Sequence, residues 1–122
     1  MDAASEPSGR ARRAPAPFEL TVDLAGAWTV VRPVGEIDLA TAGRVEQAAA
    51  GADGDVVIDL RAVTFLDSSA LRLLIQEERR AREGGHAFAV VPGGPEVQRL
   101  LQIAGLDARL RVLEDPDVIA PD

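Results

Sequence analysis

Asp67-Ser68-Ser69-Ala70 brings two hydroxyls and a carboxylate together at a single place in the chain. The run follows the apolar stretches Val56-Val57-Ile58-Asp59-Leu60 and Val63-Thr64-Phe65-Leu66, and it precedes Leu71, Leu74 and Ile75 at helical spacing. The chemistry therefore sits where a buried strand hands over to a helix. Asp67 suits the N-cap of that helix, accepting N–H bonds from Ser69 or Ala70. Ser68 would then occupy the first helical position and point outward. Two readings stay open on this pattern alone: a helix cap, or a serine offered for modification or docking.

Other chemistry finds little material. Nucleophilic serine catalysis needs a general base beside the hydroxyl. The single histidine, His86, heads an apolar segment expected at the opposite, amino end of a sheet. Asp38, Asp59 and Asp67 suggest a magnesium-bound phosphoaspartate site. Such receivers also use a lysine, and the chain has none; Asp59 moreover falls inside a buried strand pattern. Cysteine is absent, which excludes disulfides and thiolate chemistry. Pro92-Gly93-Gly94-Pro95 lacks the Gly-Lys-Ser/Thr of a phosphate loop and reads as a turn.

The elements that must position the serine run as follows. Phe18, Leu20, Val22 and Leu24 alternate with polar residues as a half-buried strand, and Trp28 to Val34 returns as a second after Ala25-Gly26. Pro33 implies a bend or bulge near its end. Thr41 is placed to cap a helix over Ala42–Ala50, with an apolar stripe of Val45, Ala48 and Ala49. Val56 to Leu60 reads as a central strand buried on both faces. The helix after Ser68 runs to about Glu83, His86 to Val91 forms a strand, and Val97, Leu100, Leu101 and Ala104 mark a helix after Pro95. Leu110 to Leu113 is a last short strand. This β-β-α-β-α-β-α-β order predicts an α/β fold: an antiparallel hairpin at one edge, then βαβ units with right-handed crossovers and helices packed on a mixed sheet.

The chain of 122 residues accommodates one domain, over 18–114, between a flexible leader at 1–17 and an acidic tail at 115–122. Its net charge of −7 disfavours nucleic acid and favours a partner with a basic face. No apolar run approaches the length of a membrane span, and the N-terminus lacks the apolar middle of a secretory signal. A cytoplasmic location with no membrane partner is the expectation. All basic residues are arginines.

Three segments in order, Gly35-Glu36-Ile37-Asp38-Leu39-Ala40-Thr41-Ala42, Val56 to Leu60 and Val63 to Leu71, resemble the STAS domain. More narrowly, they are similar to the bacterial anti-sigma factor antagonists, over about Phe18 to Leu113. The resemblance implies a partner-switching protein, not an enzyme, with no cofactor or metal. The unphosphorylated antagonist would bind an anti-sigma factor with serine kinase activity and release a sigma factor. The kinase would phosphorylate Ser68 with ATP, and a metal-dependent serine phosphatase would reverse it. Asp38, Asp67, Ser69 and Ala70 would lie in the partner-binding surface. Ala70 replaces the family's usual glycine, and Gly43 stands where many members have proline. A never-phosphorylated scaffold of a stressosome or lipid-transport complex is the alternative use of the same fold. A small hydrolase or nucleotide-binding enzyme using the serine loop is disfavoured by the missing base and lysine.

Overall fold

The computed structural model describes residues 17–114. The leader and acidic tail expected from sequence fall outside the described residues, Pro17 excepted. Alternating apolar residues make β1 (Glu19–Ala25) and β2 (Trp28–Ile37) an antiparallel hairpin, in register from Glu19↔Val34 to Ala25↔Trp28. β2 is ten residues long because it serves two parallel partners in succession. Its first half, Trp28 to Val31, pairs with β3 (Asp55–Asp59). Its last residues, Gly35 to Ile37, pair with β4 (Val63–Leu66). Pro33, which cannot donate to a ladder, sits where β2 has left β3 and not yet met β4.

Three helices follow the chain: α1 (Ala42–Ala50), α2 (Ser68–Gly84) and α3 (Pro95–Ile103). Between and after them come β5 (Phe88–Val91) and β6 (Arg111–Val112). The strand order is β1-β2-β3-β5-β6, with β4 attached to β2, and every pairing after the hairpin is parallel. The fold is thus the mixed α/β sheet expected. The order differs from the sequence expectation by one element, β4.

The helices pack on one face of the sheet. Val45 and Ala49 of α1, Leu73 and Leu74 of α2, and Val97 and Leu101 of α3 share a core with Val31, Ile58 and Val90. β3 is buried on both faces, as its continuous apolar run requires. The alternate residues Val30, Val57, Ala89 and Val91 form a second cluster on the other face, with Trp28 and Leu113 against it. Trp28 and Arg111 lie on strands separated by β3 and β5, yet the guanidinium is 5.5 Å from the indole centroid. Together they span the opposite face.

Gly93, in the turn read as a plain loop, has a packing role. A Cβ there would lie 2.5 Å from the Leu60 carbonyl oxygen. This glycine lets the β5–α3 connection cross the end of β3, while Gln98 Nε2 donates to its carbonyl at 2.8 Å.

Candidate functional site

Two loops meet because β2 and β4 end side by side. The last paired residues, Ile37 and Leu66, are partners in the parallel register and almost fully buried, which fixes both strand ends to the core. The next residues are Asp38 and Asp67, and Asp67 N–H donates to the Ile37 carbonyl at 3.2 Å. The register reaches this point through an irregularity. Gly35 pairs with Val63 but Glu36 pairs with Phe65, leaving Thr64 as the extra residue of a bulge. Gly35 has φ of +110°, a conformation open to glycine, and donates to the Ala62 carbonyl at 3.1 Å.

Asp67 caps α2 as the sequence predicts. Its Oδ1 accepts from Ser69 N–H at 2.7 Å and Ala70 N–H at 3.2 Å. Ser68 is therefore the first helical residue, and it is exposed. Its hydroxyl has no hydrogen-bond partner among the described residues. Ser69 is half-buried. Ala70 corrects an expectation: it is 0% exposed, its methyl in the core, so it supports the turn from beneath and offers no side chain to a partner.

The second correction concerns Thr41, expected to cap α1. Its side chain makes no bond to a helix N–H. Its Oγ1 instead accepts from Asp38 N–H and donates to the Glu36 carbonyl, each at 2.9 Å. Asp38 caps the turn ahead of the helix instead, its Oδ1 accepting from Ala40 and Thr41 N–H at 3.0 and 3.1 Å. The physical reason is an extra turn ahead of α1, in which the Asp38 carbonyl already accepts from Ala42 N–H at 2.8 Å. Both aspartates at the site are thus engaged with backbone N–H groups. Two apolar side chains flank them in the open: Leu39 at 83% and Phe65 at 43% exposure. Sequence reasoning missed both, because each lies in a pattern that reads as core.

Asp59 does not join Asp38 and Asp67. It lies on the opposite face of the sheet, where Arg61 Nη2 and Arg32 Nε reach its Oδ2 at 2.8 and 3.1 Å. Burial pushes its carboxyl up, but the hydrogen bonds and charge of Arg61, with help from Arg32, outweigh burial and hold it below the usual carboxylate value. Among the described residues, no group of three His, Cys, Asp or Glu side chains is placed to hold a metal ion. His86 precedes β5, which begins at Phe88 and not at His86 as expected. The length of α2, about 25 Å at 1.5 Å per residue, separates it from Ser68.

Glu77 of α2 is a buried acid the sequence reading did not single out. It is 4% exposed and its Oε2 accepts no hydrogen bond; the nearest cation is Arg80 Nη2 at 3.4 Å. Burial raises its carboxyl above the ordinary value, and Glu46 adds to the rise against Arg80 and His86.

With this geometry in view, comparison with known proteins is direct. The STAS domain family matches residues 20–117, and the chain belongs to that family. Its solved relatives include an anti-sigma factor antagonist from Mycobacterium paratuberculosis, 32% identical, with TM-score 0.74, covering 87% of this chain and 96% of that one. The Bacillus cell fate determinant SpoIIAA in its phosphorylated form shares the fold at 18% identity and TM-score 0.63, over 84% of this chain and 96% of its own. A sulfate transporter family protein from Wolinella succinogenes does so at 14% identity and TM-score 0.67, over 79% and 84%. No curated protein sequence matches the chain. Among the described residues, no helix is long and apolar enough to cross a membrane.

Proposed function

We propose that this protein is an anti-sigma factor antagonist, active as a binding module and switched off by phosphorylation of Ser68. The observation that carries the reading is the division of labour at the α2 N-terminus. Asp67 makes the capping bonds, which leaves the exposed Ser68 hydroxyl without a structural task. A group added there meets solvent and not core. The STAS family membership and the relative at 32% identity support the same role.

The binding surface consists of Ser68 and Ser69 with the loop held by Asp38 and Asp67, flanked by Leu39 and Phe65. Exposed apolar residues beside acidic ones suit a partner with a basic, partly apolar docking face. The partner is an anti-sigma factor with serine kinase activity. In the modifying step Ser68 Oγ bonds to the γ-phosphorus of ATP, ADP leaves, and the hydroxyl proton passes to a base of the kinase. The added group, which carries nearly two units of charge, then fills the space in which Ser68 meets the partner. A serine phosphatase restores the hydroxyl. The domain spans 18–114 and works in the cytoplasm.

Incubation of the protein with ATP and its cognate anti-sigma serine kinase is expected to add about 80 Da, one phosphoryl group, at Ser68 and not in Ser68→Ala. Ser68→Asp is expected to weaken kinase binding with little change in Tm. No mass addition, or modification persisting in Ser68→Ala, overturns the reading.

A further inference from the structure

On the assumption that Ser68 is the phosphoacceptor, we infer that Arg72 is the residue that holds the phosphate once it is made. The two residues stand four apart on α2, both exposed, and so are neighbours on one helix face. The anion would lie N-terminal to the cation, which is the favourable order for such a pair.

Arg72 is available for this. The other arginines farther along α2 include Arg80 and Arg82, which reach Glu77 and Glu78 at 3.4 and 3.2 Å. Arg72 has no acidic residue three or four positions away on the helix: its neighbours there are Ser68, Ser69, Ile75 and Gln76. It forms no ion pair among the described residues.

The phosphate, for its part, needs a cation from a side chain. Ser69 and Ala70 N–H, first-turn donors, are already bonded to the Asp67 carboxylate. That carboxylate and Asp38 on the adjoining loop add negative charge beside the new dianion. Arg72 is the cation one helical turn away that offsets it.

The consequence is a switch with two parts. Before modification Arg72 is an exposed cation one helical turn from Ser68, with no ion pair among the described residues. Afterwards it is drawn to the phosphate. One modification therefore repositions a neighbouring cation as well as adding an anion.

The test uses the full chain with phosphoserine encoded genetically at position 68, so that it does not depend on any kinase. The second ionisation of the phosphate is followed by 31P NMR. A nearby cation favours the dianion, so Arg72→Gln is expected to raise that pKa by about 0.3 unit, as helix-surface pairs of this spacing imply. Arg72→Lys should retain most of the wild-type value, and 1 M salt should shrink the difference. Identical titrations of wild type and Arg72→Gln overturn the inference. Failure of the kinase to modify Ser68 would instead overturn the proposed function and leave this readout intact. Equal Tm for the two unphosphorylated proteins excludes a folding defect as the source of a shift.

Discussion

Asp59 shows how a single buried side chain ties stability to pH. Its folded pKa is depressed, so its contribution is present above the unfolded value and is lost as pH falls through the lower, folded value. Asp59→Asn is expected to cost about 2 kcal/mol at pH 7, less than a fully buried pair because Arg61 is 44% exposed. In urea titrations the gap should close in acid below pH 4. A gap that stays constant with pH would mean that the loss is steric and not ionic. The residues at the site differed in how far they could be read in advance. Asp67 and Ser68 were legible because an N-cap is a local event between neighbours in sequence. The capping role of Asp38 was not legible, since Thr41, directly before α1, is itself a favoured cap residue. The burial of Ala70 was not legible: one turn of helix does not say which way its methyl points.

Among the elements, β4 was the one that the sequence hid. Its burial runs buried, exposed, exposed, buried, because Thr64 is extra in the ladder and breaks the two-residue alternation. The longer elements were legible in type and nearly in extent, since α1, α2 and α3 each carry an apolar stripe with a stop signal behind it. The role of Gly93 was hidden because its reason is the Leu60 carbonyl, far off in sequence. Gly93→Ala is expected to lower stability by about 1–3 kcal/mol, since backbone must move to admit the methyl. Gly43→Ala on α1, where a Cβ meets nothing within 4 Å, is expected to raise it by about 0.5–1 kcal/mol. Thermal denaturation of both variants checks the pair, and a neutral Gly93→Ala would remove the packing argument.

For the molecule as a whole, the hairpin and the alternation of strands and helices gave the class of fold. They did not give the crowding of all three helices onto one face, or the contact between Trp28 and Arg111 on the other. Those depend on side chains meeting across several strands. The net charge of −7 bears on association. Raising ionic strength from about 0.05 to 0.5 M is expected to slow binding to the proposed anti-sigma partner about tenfold, with a smaller effect on dissociation. Stopped-flow rates measure it, and a salt-independent association rate would mean that apolar contacts alone guide the encounter.

The register of Ile37 with Leu66 has a consequence in time as well as in space. The Asp38 loop leaves the ribosome well before the serine does, and neither has its final place until β4 has closed onto β2. That pairing is non-local, and its loop-closure entropy must be met before it forms. A nascent or partly unfolded chain carries the serine in its sequence but lacks the assembled surface. Under the proposed function, a kinase that grips both loops would therefore respond to finished molecules, and immature copies would neither titrate it nor consume its ATP.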